Sequence, residues 1–330
     1  MNYLLIDANN LAARCHHAQN DLSTANGTKT GAIYGSLRGI SWVRNTLKIP
    51  LYAVVLIWDG GHSSVRKLAY PEYKKGRKLN TPNTPEQEAD SKAYRWQLEK
   101  LREILAHTEV KQVQVPGVEA DDLISVFAAL LKQDGHAITV FSGDNDMHQL
   151  ADIVTIFDPK KEVMSDGDIL KKWKLNDLAD IALKKAMWGD SSDNIKGVPG
   201  VGDKRASIAC CFLKAEAGRV VKKNEDADGG DARLVEKILT GVFCEHSDKG
   251  LCKECKKEKE PKTTSFKSIV ERNLVLMDLP RTWDDSLLTW GQCEEALVQF
   301  LNVSQGDFQQ FIAELKTLEM HSILETLGRW

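Results

Sequence analysis

The stretch AITVFSGDND (residues 137–146) joins a run of apolar and β-branched residues to two aspartates, Asp144 and Asp146. The apolar part is typical of a strand buried in a sheet. Two carboxylates at the end of a buried strand cost solvation free energy unless a partner compensates for it. The stretch therefore predicts a strand whose carboxyl end carries a ligand site.

Short runs of apolar and β-branched residues alternate with amphipathic stretches along the first half of the chain. These runs, which we expect to be strands, cover residues 2–6, 51–58, 110–115, 137–141 and 152–157. Such alternation predicts an α/β fold in which a mostly parallel sheet is flanked by helices.

After about residue 170, short helices with glycine turns replace the strands, which predicts a second, helical domain. We place the α/β core at residues 1–175 and the helical domain at 176–330. The core includes a basic, proline-punctuated segment, 66–98, which is too long for an ordinary connection and is interpreted as a functional loop. A polar insertion at 240–260 is expected to form a small element of its own.

The composition is that of an ordinary globular protein. The 330 residues carry a net charge of −3. No apolar run approaches the roughly 18 residues that suggest a membrane span. Seven cysteines without a secretory leader favour a reducing compartment over disulfides. We therefore expect a soluble chain, unprocessed at its start, that makes no membrane contact.

Acidic residues follow three of the predicted strands, and others begin a helix or enter the second domain. The set comprises Asp7, Asp59, Glu119, Asp121, Asp122, Asp144, Asp146, Asp190 and Asp193. The carboxyl ends of parallel strands meet at one edge of a sheet, which is where ligands bind. We therefore expect these carboxylates to form one cluster.

A cluster of carboxylates repels itself at neutral pH, and divalent cations with oxygen ligands relieve that repulsion. A helix cap is the simpler interpretation of Asp122 or Asp193 taken alone, but it does not account for nine acids. Because the cluster has no cysteine and histidines are few, Mg²⁺ or Mn²⁺ is favoured over zinc. Two such ions about 3.5–4 Å apart promote in-line displacement at phosphorus.

A phosphatase that forms an aspartyl phosphate is a weaker alternative for the same acids. That design typically has Asp-x-Asp after the first strand, whereas Asp7 is followed two positions later by Asn9.

The modest net charge does not exclude nucleic acid, since setting the nine acids aside leaves a positively charged remainder.

A glycine-rich turn, GVPGVG (197–202), lies between two predicted helices and is followed by DKRAS. Exposed backbone N–H groups and the next helix N-terminus can hold a phosphate backbone without reading bases. We interpret residues 178–213 as a helix-hairpin-helix. Its expected DNA contacts are Gly197, Gly200, Gly202, Lys204 and Arg205.

The segment RKLAYPEYKKGRK (66–78) is strongly basic and interleaves Tyr70 and Tyr73 with its cations. A solvated charged loop is the commoner fate of such a run. Aromatic residues among cations also fit a single-strand channel, because bases stack on tyrosine while lysines such as Lys75 track phosphates.

Six motifs occur in a fixed order: DANN, WDG, YPEYKKGR, GVEADDL, SGDNDMHQL and GDSSDNIKGVPGVGDKRA. Together they resemble the 5′ nuclease (flap endonuclease) superfamily. The resemblance is strongest to stand-alone phage 5′–3′ exonucleases and to the N-terminal nuclease domain of bacterial DNA polymerase I. It runs from residue 1 to about 213 and resumes weakly at ERNLVLMDLP (271–280).

The resemblance implies a PIN-like core, two Mg²⁺ ions, a helical arch over 66–98 threaded by the free 5′ strand, and a hairpin that holds the duplex and often K⁺. It implies that Asp7, Asp59, Glu119 and Asp121 hold the first metal with Asp122 in the same cluster, and that Asp144, Asp146, Asp190 and Asp193 complete the surroundings of the second. Lys74 would contact the scissile phosphate, with Arg77 beside it and Tyr73 placed to stack.

The expected activity is that of a divalent-metal-dependent 5′–3′ exonuclease and flap endonuclease in replication or repair. Its expected substrates are DNA flaps, nicks and free 5′ ends, and RNA in RNA/DNA hybrids. We expect a monomer in the cytoplasm of a bacterial or phage-infected cell. A non-catalytic flap-binding protein and a PIN-type ribonuclease are the alternatives. The complete set of acids argues against the first, and the hairpin argues against the second.

The sequence CEHSDKGLCKEC departs from the usual pattern of this superfamily. Its Cys244, His246, Cys252 and Cys255 offer the thiolate and imidazole ligands of a structural Cys₃His zinc site. The alternative is a disordered polar insertion with incidental cysteines, because the C-x-H half is shorter than usual and the flanks are rich in lysine.

Overall fold

A computed structural model of the chain describes residues 1–75, 84–216, 242–244, 263–279, 289–302 and 306–329, with backbone alone at 211–216, 242–244, 263–264, 290 and 329. The chain divides into two compact units. The first comprises Met1–Ser63, Lys78–Met164 and Pro280–Trp330, and the second comprises Ser64–Arg77 and Ser165–Leu279.

A six-stranded sheet forms the centre of the first unit. Its strands are β1 (Asn2–Asp7), β2 (Val54–Ile57), β3 (Lys111–Val113), β4 (Ala137–Phe141), β5 (Thr155–Asp158) and β6 (Glu162–Met164). They lie in the order β3-β2-β1-β4-β5-β6. β1 to β5 are parallel, as predicted, and β6 pairs antiparallel with β5. The sequence analysis did not predict β6, a strand of three residues that begins with a glutamate.

The helices alternate with these strands and continue into the second unit. They are α1 (Ala8–Ala18), α2 (Gly31–Leu47), α3 (Ser64–Ala69), α4 (Pro85–Ala106), α5 (Ala120–Gln133), α6 (Asp166–Trp173), α7 (Ile181–Trp188), α8 (Asp203–Glu216), α9 (Phe266–Met277), α10 (Trp290–Leu301), α11 (Phe308–Thr317) and α12 (His321–Leu324). Short 3-10 helices cover Leu51–Ala53, Asn145–Leu150, Leu178–Asp180 and Leu327–Arg329.

Local sequence explains where the long helix α4 begins. Thr84 accepts a hydrogen bond from the Gln87 N–H, and Pro85 occupies the first helical position, where its missing N–H is not needed. Glu86 and Glu88 lie in the first turn, near the positive end of the helix dipole. The second half of α4 buries Leu101 and its apolar neighbours in the core.

The core of the first unit includes residues from the end of the chain. Phe311 and Leu315 of α11 are fully buried with Leu4 of β1 and Leu101 of α4 in one hydrophobic cluster. This differs from the division expected from the sequence, which placed all of 176–330 in a helical domain. The apolar face of α11 has the same pattern whichever sheet or helix it packs against, so the sequence pattern alone did not assign it.

In the second unit, α7 packs against α8 and α9, and α9 also packs against α3. Two short strands, β7 (Gly189–Asp190) and β8 (Ile195–Lys196), form an antiparallel hairpin after α7. The strands β9 (Val242–Cys244) and β10 (Thr263–Ser265) pair antiparallel as well. Residues 64–75, which include the start of the basic segment, group with this unit, whereas α4 groups with the first. The predicted segment 66–98 is therefore shared between the two units.

Some predictions fall outside the described residues. They concern Arg77, the middle of the expected arch at 76–83, and the zinc ligands His246, Cys252 and Cys255, while Cys244 is described by its backbone alone. Among the helices that are described, none is long and apolar enough to cross a membrane.

Candidate metal centre and nucleic-acid-binding elements

Asp7 lies at the carboxyl end of β1, the strand at which the sheet order reverses. β2 and β4 flank β1 on its two sides, so the crevice beyond its carboxyl end is the ligand site of an open parallel sheet. The Asp7 Oδ1 accepts a hydrogen bond of 2.9 Å from the Asn10 N–H and so caps α1. This contact uses one carboxylate oxygen, and Oδ2 takes no part in it.

The electrostatics around Asp7 show that several carboxylates share this crevice. The pKa of Asp7 is raised to about 7, chiefly by burial and in smaller part by the negative charges of Asp121, Asp144 and Asp59, against the Asn10 hydrogen bond that lowers it. A divalent cation bound beside such a group would favour its charged form and lower its pKa again. Hard oxygen donors are the ligands of Mg²⁺ and Mn²⁺, so the donor set fits these ions.

Three more carboxylates lie together at the start of α5. Oxygen atoms of Glu119, Asp121 and Asp122 all lie within 4.8 Å of one another. Glu119 and Asp122 are buried, at 2% and 1% exposed. Glu119 is the N-cap residue of α5 but makes no side-chain capping bond, so its carboxylate is directed elsewhere. The positive end of the α5 dipole offsets part of the cost of gathering these charges.

The segment after β2 supplies one hydrogen-bond donor to Glu119 and places an imidazole near it. The Ser63 N–H donates to Glu119 Oε1 at 3.3 Å, and His62 Nδ1 lies 3.8 Å from the same oxygen. Sequence reasoning did not single out His62 or Ser63, although both closely follow the WDG motif. Both lie against a carboxylate that was predicted to bind metal.

The backbone of Asp59 is held in place by Asn9, a residue of the DANN motif. The Asn9 Oδ1 accepts a hydrogen bond of 2.8 Å from the Asp59 N–H, which ties the start of α1 to the end of β2. Gly60 allows a second tie, because a Cβ there would lie 1.8 Å from the Val115 carbonyl oxygen. The Gly60 N–H donates to the Val118 carbonyl at 2.9 Å, which brings the loops after β2 and β3 together.

Asp144 and Asp146 begin the 3-10 helix after β4. Asp144 Oδ1 accepts from the Asp146 N–H at 3.0 Å, and the Asp144 N–H donates to Ser142 Oγ at 3.1 Å. Asp144 is exposed and Asp146 is half-buried. Of the nine predicted ligands, the structure therefore places seven at the carboxyl edge of the first unit's sheet.

Asp190 and Asp193 lie in the second unit, in the hairpin formed by β7 and β8. Asp190 Oδ1 accepts from the Ser192 N–H at 2.8 Å, from the Ser192 hydroxyl at 2.6 Å and from the Asp193 N–H at 3.3 Å. Burial alone would raise the pKa of Asp190, but these hydrogen bonds and the Lys185 ammonium together lower it. The loop therefore holds an ionised carboxylate, and the roles of both acids as metal ligands stay predictions.

Lys74 contacts this acidic loop through both its backbone and its side chain. Its N–H donates to the Asp193 carbonyl at 2.8 Å, and its Nζ lies 3.9 Å from Asp193 Oδ2. The Lys74 backbone is left-handed, with φ of 55°, and its side chain is 8% exposed. Lys75, by contrast, is exposed and pairs with Glu72 at 2.7 Å.

The structure differs from the sequence prediction at Tyr73. Its ring is 3% exposed and lies under the Lys74 ammonium, whose Nζ is 4.9 Å from the ring centroid. A buried ring does not offer a face on which a base can stack. Tyr73 in this structure supports Lys74 instead, and a pattern of alternating tyrosines and lysines could not distinguish the two roles.

The predicted hairpin turn lies between α7 and α8. Gly197 is required by close packing, because a Cβ there would lie 2.1 Å from the Trp188 carbonyl oxygen. The Val201 N–H donates to the Val198 carbonyl at 3.0 Å and closes the turn, in which Gly200 has φ of 80°. A Cβ on Gly202 would meet no atom within 4 Å, so this glycine faces open space.

The predicted DNA contacts in α8 differ from one another. Lys204 is exposed. Arg205 Nη1 donates to the Gly200 carbonyl at 2.7 Å, so Arg205 braces the turn from within the protein. Both residues were predicted from charge and position alone, which do not report internal hydrogen bonds.

Lys184 was missed by sequence reasoning. It is fully buried in α7, and its Nζ donates to Asp203 Oδ1 at 2.7 Å and to the Trp173 carbonyl. Burial alone would raise the pKa of Asp203, but hydrogen bonds and charge from Lys174 and Lys184 lower it. The ion pair fixes the start of α8 against α7. The signal was a pair of lysines, Lys184 and Lys185, inside an otherwise apolar helix.

A family model described as 5′-3′ exonuclease, N-terminal resolvase-like domain, matches residues 2–174. The chain belongs to this 5′-3′ exonuclease family. Among curated relatives, DNA polymerase I of Bacillus subtilis (strain 168) is 30% identical over 331 residues, which is 98% of this chain and 32% of the polymerase. The thermostable DNA polymerase I of Thermus aquaticus is 29% identical over 239 residues, 72% of this chain and 26% of that one.

The chain thus spans a third or less of the length of these relatives. Solved structures with a similar fold include the T5 5′-exonuclease with divalent metal ions (zinc) bound, at TM-score 0.60 and 21% identity, covering 96% of this chain and 99% of that one. The catalytic core of Rad2 in complex with DNA substrate has TM-score 0.52 and 15% identity, covering 99% and 92%. At these identities the structures show a shared fold, and they confirm the predicted α/β, PIN-like sheet flanked by helices.

Proposed function

We propose that this chain is a divalent-metal-dependent 5′ nuclease that hydrolyses phosphodiester bonds in DNA with a 5′ flap, a nick or a free 5′ end. The observation that carries the proposal is the group of carboxylates at the sheet's carboxyl edge, in which the pKa of Asp7 is raised to about 7. Membership of the 5′-3′ exonuclease family supports the same activity.

The residues that would hold metal in the first unit are the carboxylates of that edge. They are Asp7, Asp59, Glu119, Asp121, Asp122, Asp144 and Asp146. When bound, two Mg²⁺ or Mn²⁺ ions would neutralise the phosphodiester, favour an attacking water and stabilise the leaving oxygen. Metal-bound structures of the T5 5′-exonuclease support a divalent ion at such a site.

The chain's own groups orient these ligands before any substrate arrives. Asn9 holds the Asp59 backbone, and Ser63 donates to Glu119. Lys74, seated on Asp193 and Tyr73, presents one ammonium group that we propose contacts the scissile phosphate and stabilises charge as it develops. Such preorganisation is the main way in which a protein assists phosphoryl transfer.

DNA is the proposed substrate because two structural neighbours are complexes with it. The T5 D15 flap endonuclease structure contains DNA and metal ions, and the Rad2 core contains a DNA substrate. The GVPGVG turn, with the Gly202 face open and Lys204 exposed at the start of α8, would hold the phosphate backbone. RNA in RNA/DNA hybrids, K⁺ at the turn and a monomeric state are further parts of this proposal.

One assay tests the proposal against its rivals. A labelled 5′-flap DNA, an RNA/DNA hybrid with a 5′ RNA end and a single-stranded RNA are incubated with the protein in Mg²⁺ or in EDTA. We expect cleavage of the flap in Mg²⁺ and none in EDTA. Tight flap binding without cleavage would instead establish a non-catalytic flap-binding protein. Preferential cleavage of single-stranded RNA would establish a PIN-type ribonuclease.

A further inference from the structure

Asn273 is a buried amide whose oxygen and nitrogen are both engaged. It lies on α9 and is 0% exposed. Its Nδ2 donates to the Ala186 carbonyl at 2.8 Å and to the Lys196 carbonyl at 2.9 Å. Its Oδ1 accepts from Arg272 Nε at 3.0 Å and from Arg272 Nη2 at 2.8 Å. Two carbonyls on one side and a guanidinium on the other allow only this orientation of the amide.

Both carbonyls belong to segments that contact or directly precede the glycine-rich turn. Lys196 directly precedes Gly197, and Ala186 precedes Met187, whose carbonyl accepts from the Val198 N–H at 2.8 Å. A buried amide that loses such partners leaves polar groups unsatisfied, which costs more than the bonds contribute. Asn273 therefore fixes both the end of α7 and the strand from which the turn departs.

Arg272 connects the start of the glycine-rich turn to the basic segment. Its Nη2 also donates to the Lys196 carbonyl at 2.9 Å, and its guanidinium lies 4.7 Å from the ring centroid of Tyr70. That distance is within the range of a cation–π contact. Tyr70 follows α3, and its carbonyl accepts from the Tyr73 N–H at 2.8 Å in the turn that leads to Lys74. One guanidinium thus contacts the base of the glycine-rich turn and the residue that sets the path to Lys74.

A second contact pins the same segment from the acidic loop. Asn194 Nδ2 donates to the Glu72 carbonyl at 2.8 Å, and the Lys74 N–H donates to the Asp193 carbonyl. The path from Tyr70 to Lys74 is therefore held at its start by Arg272 and at its end by the β7–β8 loop. The β7–β8 hairpin, which leads into the glycine-rich turn, takes part in both anchors.

We propose that Arg272, oriented by Asn273, is a positioning residue that sets Lys74 in register with the GVPGVG turn. This inference rests on the proposed nuclease function. A phosphate chain held by the turn would then present one phosphodiester to the Lys74 ammonium at a constant distance. A guanidinium is suited to this role because it bonds two acceptors in its plane and stacks on an aromatic ring with its face. A lysine or glutamine could not make all three contacts.

The experiment is a double-mutant cycle between Arg272 and Lys74. Single-turnover cleavage of a 5′-flap DNA is measured at saturating enzyme for the wild type, Arg272→Ala, Lys74→Ala and the double variant. We expect Arg272→Ala to slow cleavage about 10-fold or more, because a displaced catalytic group loses its alignment. The same substitution should change the rate by less than about two-fold in the Lys74→Ala background.

The matched control is Lys267→Ala, which removes an exposed cation from the same helix and should leave the rate unchanged. Flap affinity in Ca²⁺ separates positioning from binding, and Arg272→Ala should change it little. An equal loss of rate with Lys74 present and in the Lys74→Ala background would mean that Arg272 acts on the fold as a whole and would overturn the inference. So would an unchanged rate in a folded Arg272→Ala protein.

Hydrogen exchange gives a readout that does not depend on activity. Arg272→Ala should speed amide exchange in peptides covering residues 70–75, and Lys267→Ala should not. Unchanged exchange there would overturn the coupling. A wild-type protein that cleaved no flap would refute the proposed function, and the exchange data would then decide the coupling separately.

Discussion

Asp7 shows how one carboxylate can serve the fold and the site together. Its Oδ1 caps α1, which is the role that sequence reasoning assigned to isolated aspartates. Its surroundings also raise its pKa to about 7, which a cap alone would not do, since the capping bond lowers the pKa. The choice between helix cap and metal ligand is therefore not exclusive at this position.

The raised pKa of Asp7 predicts how stability depends on pH without metal. The folded state holds a proton up to about pH 7, whereas the ordinary pKa is 3.8. The stabilisation is therefore complete below the ordinary pKa and is lost as the pH rises through 7. In EDTA we expect the free energy of unfolding contributed by Asp7 to fall across the window from pH 3.8 to about 7. Mg²⁺ should raise the melting temperature more above that window than below it.

Asp7→Asn keeps a capping oxygen and removes the charge, so it should flatten this pH dependence and stabilise the metal-free protein above the window. Thermal unfolding in EDTA, measured across the window from the ordinary pKa to above 7, tests it. Asp21→Asn, at an exposed position of the same unit, is the control. A variant with the same pH profile as the wild type would contradict the assignment.

Lys74 is the second residue whose role can be tested, because its proposed catalytic role predicts an effect on turnover. Lys74→Ala should lower turnover on a flap by about 10²-fold, because a donor aimed at transition-state charge acts mainly on kcat. Lys267→Ala removes an exposed cation to which no DNA contact is assigned and should change turnover little. Steady-state kinetics with both variants decides the point. A change confined to the KM of Lys74→Ala would make Lys74 a binding residue.

At the scale of elements, the turn between α7 and α8 separates two kinds of glycine. A side chain on Gly197 would collide with the Trp188 carbonyl, whereas one on Gly202 would enter open space. The first glycine is needed for the protein's own packing, and the second leaves room for a partner.

This contrast predicts different defects for two alanine substitutions. Gly197→Ala should destabilise the protein by about 1–3 kcal/mol, as expected for overpacking, and weaken DNA binding as a consequence. Gly202→Ala should leave the melting temperature unchanged and raise the Kd for duplex DNA. Calorimetry and fluorescence anisotropy in Ca²⁺ measure the two effects. If Gly202→Ala bound duplex DNA as well as the wild type, backbone approach at that glycine would not be required.

At the scale of the whole molecule, metal identity should separate binding from cleavage. Ca²⁺ accepts more ligands at longer distances than Mg²⁺ does, so it can neutralise the carboxylates without imposing the geometry that the reaction needs. We expect flap affinity to persist in Ca²⁺ and cleavage to be lost. Gel-shift and cleavage assays on the same substrate test this. Efficient cleavage in Ca²⁺ would contradict the proposed mechanism.

The cysteine-rich insertion is a second question for the whole chain. If Cys244, His246, Cys252 and Cys255 bind zinc, the metal would supply folding free energy to a segment with little apolar content. Protein purified without added zinc should contain about one zinc per chain, as expected for a Cys₃His site, and Cys252→Ser should lose it. Cys293→Ser, at a buried cysteine outside the insertion, should retain it. Zinc-free wild-type protein would exclude the site.

The sequence by itself determined the five parallel strands and the acids at their carboxyl ends. Both follow from local patterns. The strands are apolar runs of strand length, and three of these runs are followed closely by Asp7, Asp59 or Asp144. Residue order within a motif also sufficed for the glycine-rich turn, because a turn needs only neighbours in the chain.

Tertiary structure alone decided which of these neighbours meet. It placed Phe311 and Leu315 in the core with β1 and buried Tyr73 beneath Lys74. It also brought Arg272 to both Lys196 and Tyr70, which are far from it in the sequence. Apolar and charged side chains look alike in sequence whichever partner they pack against. The partner is chosen by long-range packing, and so by the whole fold.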